Sequence, residues 1–251
     1  MSDTMTLFST AHGYSDLAGG GEPLSPLDGR YRAVAAPLAN YLSEAGLNRA
    51  RVHVEIEWLI FLLDNSVLPG APTLTDAERD YLRALPRDFG TDHIKRLGEF
   101  EAVTRHDVKA VEYFIKEKFD DLGLSDEKEF VHFGLTSQDI NNTSFPLMIR
   151  EAVEHVFLPE FGGLIDQLQF YATEWEHVSM LARTHGQPAS PTRLGKEIEV
   201  YVYRLQEQHT TIEALPHTAK FGGATGHFNA PTVAYTQHTW KRLPAYSVRC
   251  L

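Results

Sequence analysis

Phe161, Leu164, Ile165, Leu168, Ala172 and Trp175 recur at i, i+3, i+4, i+7, i+11 and i+14, an apolar stripe that only a long α-helix lines up on one side. Such a face must be covered. Leu194, Ile198, Tyr201 and Leu205 mark a second one, for which Ser190 reads as the N-cap and Pro191 as the first helical residue. The two helices are expected to pack antiparallel. Residues 33–64 carry Leu38, Tyr41, Leu42, Ala45, Val52, Ile56, Leu59 and Leu63 at helical spacing, with a joint expected at Gly46. Shorter helices are predicted over 74–85, capped by Thr75 and ended by Pro86, and over 95–103 and 108–118. A further helix over 140–154 is expected to break or kink at Pro146. No stretch alternates convincingly with a period of two, so the fold is read as all-α.

A chain of 251 residues with 43% hydrophobic content can bury a substantial core. Its net charge of −11, without a basic patch, argues against nucleic acid as a partner. The longest apolar run, residues 58–63, is too short to span a bilayer, and no membrane association is expected. The first 22 residues show neither a signal nor a transit pattern, and the single cysteine, Cys250, cannot form an intrachain disulfide. A cytoplasmic location follows as the expectation.

Three segments carry chemistry. Thr184, His185, Gly186, Gln187 and Pro188 separate two helices and put an imidazole on the connection, where His185 serves either as an acid or base or as a backbone-bonding turn residue. Thr136 and Asp139 are spaced as a capping pair. With Ser137 they mark either a plain helix start or a site for a carboxylate or phosphate. Arg105, His106 and Asp107 join a cation, an imidazole and a carboxylate. They form either an anion clamp with Asp107 orienting His106, or a solvated junction. Arg30 and Tyr31 offer a similar choice between holding a nucleotide phosphate and starting a helix. His106, Asp107, His132 and His185 match no zinc spacing, so no metal is expected. The glycines at 222, 223 and 226 lack dinucleotide or Walker spacing and read as a turn.

Six ordered stretches, SPLDGRY (25–31), RVHVEIEWL (51–59), TRHDVKAVEYFIKEK (104–118), FVHFGLTSQDINN (130–142), RTHGQPASPTRLGKE (183–197) and GGATGHFNA (222–230), together resemble the bacterial-type adenylosuccinate lyases of the fumarase and aspartase superfamily. The resemblance implies elimination of fumarate from adenylosuccinate, giving AMP, and from the succinylated carboxamide ribotide of purine synthesis, without a cofactor. It further implies a cytoplasmic homotetramer acting on a small-molecule nucleotide. Position by position, His185 corresponds to the general acid, Arg30 and Tyr31 to phosphate contacts, Arg105, His106 and Asp107 to a substrate-binding triplet, and Thr136 and Ser137 to the hydroxyls that grip the succinyl carboxylates. His132 is a further candidate for that pocket.

The family pattern continues to a Ser-Ser-x-Met-Pro-x-Lys-x-Asn-Pro loop whose serine is the base, which this sequence does not carry. The expectation is therefore the N-terminal half of the enzyme, truncated and impaired alone. The alternative is a non-catalytic fragment that binds nucleotide or joins full-length subunits. The organisation expected is a flexible leader over 1–24, an N-terminal helical domain over 25–125, the start of the central bundle over 126–234, and a divergent tail over 235–251.

Overall fold

The computed structural model describes residues 24–68, 70–71, 73–235 and 240. The leader and tail expected from the sequence lie outside these, apart from residues 24, 235 and 240. The described residues are helical with one small hairpin: α1 (Arg32–Leu42), α2 (Glu44–Asp64), α3 (Asp76–Arg87), α4 (Thr91–Thr104), α5 (Asp107–Asp121), α6 (Ser137–Ala152), α7 (Leu158–Glu174), β1 (Ser179–Thr184), β2 (Gln187–Arg193), α8 (Leu194–Glu213) and α9 (Asn229–Ala234). The all-α reading holds. No helix among the described residues is long and apolar enough to cross a membrane.

The described residues fall into two compact units, the first made of those up to Glu151 and from His217 onward, the second of Ala152–Pro216. In the first unit α2 is the axis: every residue from Arg49 to Leu63 is buried, so the helix is surrounded rather than laid on a surface. Ile56, Leu59 and Leu62 on α2 form the core with Phe89, Val111, Phe114, Ile115 and Phe119. Arg49, Arg51, His53, Glu55 and Glu57 on the same helix are buried with them. Burial, reinforced by Arg83, Arg150 and Arg49, pulls the His53 imidazole down to about 3, so that ring is carried neutral.

Local rules explain several boundaries and fail at others. Thr75 caps α3 as expected, in a reciprocal pair with Glu78: the Glu78 N–H donates to Thr75 Oγ1 at 3.3 Å, and the Thr75 N–H to Glu78 Oε2 at 2.7 Å. The joint expected at Gly46 lies instead at Ser43, whose Oγ accepts the Gly46 N–H at 3.0 Å. Gly46 is small for a tertiary reason, since a Cβ there would lie 2.5 Å from the Tyr41 carbonyl oxygen. α6 is not broken at Pro146; it runs on to Ala152, and a π-helical turn, Val153–Phe157, follows.

In the second unit α7 and α8 pack antiparallel, with Gln169 bonded to Glu199 and Phe161 stacked on His209. The expected cap at Ser190 and first turn at Pro191 are not found there. Both residues belong to β2, which pairs with β1 from Ser179↔Arg193 to Thr184↔Gln187, and α8 starts only at Leu194. Pro191 faces Leu181 on this two-stranded ribbon, where a missing N–H is tolerated because one side of each strand is unpaired.

Gly195 sets how closely the helices approach. A Cβ at this position would fall 2.2 Å from the Ala172 carbonyl oxygen and 2.7 Å from the Glu176 amide nitrogen, both backbone atoms that cannot swing aside. Gly195→Ala is expected to cost about 3 kcal/mol or more despite the better helix propensity of alanine. Hydrogen exchange should show it as faster amide exchange across α7 and α8; unchanged protection there would mean that the helices separate freely.

Candidate active site

The site in the first unit is built where α2, α5 and α6 meet. α4 ends as Arg105 turns into the left-handed region at φ 55°, which reverses the chain and leaves the Arg105 side chain exposed. His106 follows in extended conformation as the N-cap of α5, and its Nδ1 accepts the Lys109 N–H at 3.1 Å. An accepting Nδ1 carries no proton, so the neutral ring presents Nε2–H. Nε2 lies 3.4 Å from the Ser137 hydroxyl.

Asp107 Oδ1 lies 3.6 Å from His106 Nδ1, beyond hydrogen-bond distance, and the stronger partner of this carboxylate is Arg51. Asp107 Oδ2 accepts from Arg51 Nη2 at 2.6 Å, and Arg51, buried on α2, also donates from Nε to Asn141 Oδ1 at 3.0 Å and from Nη1 to Asn48 Oδ1 at 3.1 Å. One guanidinium thus ties α2, α5 and α6 together with three hydrogen bonds in a fixed fork. Burial pushes the Asp107 carboxyl up, but the Val108 N–H and the Arg51 guanidinium outweigh it and leave it below the usual carboxylate range.

Thr136 and Ser137, both half-buried, open α6. Their position is fixed from below by Asp139, whose carboxylate is fully buried. Oδ2 accepts the Thr136 N–H at 2.9 Å, as the capping spacing implies. Oδ1 accepts from the Gly222 N–H at 2.7 Å, the Gly223 N–H at 3.1 Å and Lys220 Nζ at 2.8 Å. The glycine-rich turn therefore does wrap an anion, and the anion is the chain's own carboxylate. Gly223, with φ 78°, bends the backbone so that its amide and its neighbour's point inward. Behind this turn Phe221 packs on Trp58, whose Nε1–H donates to the Phe133 carbonyl at 3.0 Å.

Of the residues singled out in the sequence, His106, Asp107, Thr136 and Ser137 are brought together, with Arg105 beside them in the chain. Arg30 and Tyr31 stand exposed at the start of α1, the guanidinium 5.6 Å from the tyrosine ring centre. Among the described residues no hydrogen bond or ion pair joins either to this group. His185 belongs to the second unit. It occupies the two-residue turn between β1 and β2 with φ 51°, followed by Gly186 at φ 75°, so its exposed ring stands at a hairpin tip.

Arg51, Asn141 and Lys220 were not anticipated as parts of the site. One signal was present: charged residues at 49, 51, 55 and 57 inside an otherwise apolar helix cannot all reach solvent, and a buried charge needs a partner.

The lyase family model matches residues 29–248. The chain is 46% identical over 222 residues to an adenylosuccinate lyase of Dictyostelium discoideum, covering 86% of this chain and 48% of that protein. It is 41% identical over 220 residues to the adenylosuccinate lyase of Haemophilus influenzae (87% and 48%) and 38% over 218 residues to that of Escherichia coli K12 (86% and 48%). The chain spans about half the length of these relatives, matching their N-terminal halves. Among solved structures, a fumarate lyase from Mesorhizobium sp. BNC1 superimposes with a TM-score of 0.64 at 17% identity, over 84% of this chain and 47% of that one. A β-carboxy-cis,cis-muconate cycloisomerase from Acinetobacter calcoaceticus gives 0.63 at 19% identity, over 85% and 48%. These two share the fold.

Proposed function

The chain belongs to the lyase family, and we propose that it supplies the substrate-binding and acid side of an adenylosuccinate lyase. In this reading the C–N bond between the purine amine and the succinyl group breaks. A proton leaves the adjacent succinyl carbon, another is delivered to the departing nitrogen, and the products are AMP and fumarate. The same elimination applies to the succinylated carboxamide ribotide of purine biosynthesis. His185 donates the proton to nitrogen, a general-acid role that an imidazole can fill. Arg30 and Tyr31 hold the phosphate, Arg105, His106 and Asp107 bind substrate as a triplet, and Thr136 and Ser137 grip the succinyl carboxylates.

The observation that carries the reading is the meeting of His106 Nε2 and Ser137 Oγ at 3.4 Å, from two motifs 31 residues apart. An imidazole and a hydroxyl beside the start of a 16-residue helix make a cradle for a carboxylate, with the helix-start N–H groups adding positive potential. Arg51 reinforces this by holding both segments while neutralising Asp107, which would otherwise repel the substrate. Family membership also supports a cytoplasmic homotetramer, and Leu164, Phe170, Tyr201 and Tyr203, exposed on α7 and α8, support association with a further chain.

Loss of adenylosuccinate absorbance with the purified chain tests the proposal, with size-exclusion chromatography reporting the assembly. Turnover is expected to be measurable but impaired, since the chain supplies the binding and acid side alone, and Ser137→Ala should raise KM by about tenfold with a smaller effect on kcat, because a ground-state carboxylate contact is lost. AMP binding without turnover would support the alternative of a non-catalytic nucleotide-binding fragment. Neither binding nor turnover would sink both.

A further inference from the structure

Glu55 lies on α2 among Val52, Ile56 and Leu59, with no exposed surface. A carboxylate so placed is costly unless paired, yet its hydrogen bonding among the described residues is one-sided: Oε1 lies 2.5 Å from His132 Nδ1, and Oε2 has no partner. The imidazole is held at a cost of its own. His132 adopts φ 64°, in the left-handed region that non-glycine residues rarely occupy. Its side chain keeps 18% of its surface open, so the ring is not sealed into the core with its partner. The His132 carbonyl accepts the Leu135 N–H at 3.2 Å, turning the chain toward Thr136 and Ser137 at the start of α6.

We propose that Glu55 is a positioning residue of this site: through its bond to Nδ1 it fixes His132 so that the remaining Nε2–H donates to an anionic group of the substrate. The proposal rests on the lyase reading above. The surrounding charges act in the same direction. Burial disfavours the charged ring, but the Glu55 carboxylate, by charge and hydrogen bond, and Glu112 on α5 outweigh it, while Lys109 on α5 opposes them. The net effect holds the His132 imidazole above its ordinary range, so that at a given pH it is more often a cation than a free histidine. Glu112 is itself engaged by Lys109 Nζ at 2.7 Å and Lys116 Nζ at 3.1 Å, which leaves Glu55 as the carboxylate directly on the ring.

The test uses the full chain, with calorimetric binding of adenylosuccinate and NMR titration of histidine ring signals, the His132 signal being assigned by its loss in H132Q. E55Q retains an oxygen that accepts from Nδ1 and removes the charge. It is expected to lower the His132 titration midpoint and to weaken adenylosuccinate binding by about tenfold or more. Binding by the unsubstituted chain should tighten as pH falls through the His132 midpoint, and in E55Q this dependence should move to lower pH. The double variant E55Q/H132Q should bind no more weakly than H132Q alone, because Glu55 acts through the ring. Equal weakening by E55Q in both backgrounds, or an unmoved His132 midpoint, overturns the proposal. Should E55Q fail to fold, E55D, which keeps the charge and shortens its reach, carries the same cycle. Failure of the unsubstituted chain to bind adenylosuccinate, with the His132 midpoint still sensitive to E55Q, overturns the lyase reading and with it the substrate role of the pair.

Discussion

Asp139→Ala is expected to lower the thermal midpoint of the first unit by about 10 °C. The carboxylate is fully buried and gathers the N–H groups of Thr136, Gly222 and Gly223 as well as the Lys220 ammonium. Alanine leaves those donors facing a small cavity, and removing one partner of a buried ionic cluster costs about 3–5 kcal/mol. That is a large part of the roughly 5–15 kcal/mol that keeps an average domain folded. For a chain of this size each kcal/mol moves the midpoint by about 2–4 °C, which gives the figure above. Asp139→Asn should behave almost as badly, since its NH₂ group would be set against backbone N–H donors. Circular dichroism melts decide it: a shift below about 2 °C for both variants would show that the glycine-rich turn does not depend on this anchor. Because the Thr136 N–H is one of the ligands, surviving protein should also bind adenylosuccinate more weakly.

His185→Asn is expected to leave the fold intact and to remove about 10²–10⁴-fold of the turnover measured for the unsubstituted chain. The choice of asparagine follows from the backbone. His185 sits at φ 51° in a two-residue hairpin turn, and asparagine is among the few residues that accept this conformation readily. The exposed ring makes no hydrogen bond among the described residues, so the melting curve should move by no more than about 2 °C. With KM nearly unchanged, the whole loss would fall on kcat, the signature of a group that acts in the transition state. Turnover within about tenfold of the unsubstituted chain would remove His185 from the acid role.

The helical class and most of its helices can be read from the chain because the signals are local. The Thr75 and Glu78 capping pair and the stripe from Phe161 to Trp175 each involve residues within a few turns of one another. The site motifs are legible in the same way, as short ordered runs around His106, Thr136 and His185. The start of α8 is not, because Ser190 and Pro191 carry a valid capping signal while the antiparallel pairing of β1 and β2 claims them. The competing hydrogen bonds come from residues 179–184, so no window around Ser190 contains the answer.

The sequence by itself therefore determined the all-α class, the order of the helices and the residue types that can do the chemistry, because periodicity and capping act over a few residues. Only the tertiary structure decided which of those residues meet. Arg51 reaches Asp107 and Asn141 across 56 and 90 positions, Glu55 reaches His132 across 77, and Asp139 reaches Gly222 across 83. Each of these contacts satisfies a charge that folding removed from water, and which distant group does so depends on how the helices pack.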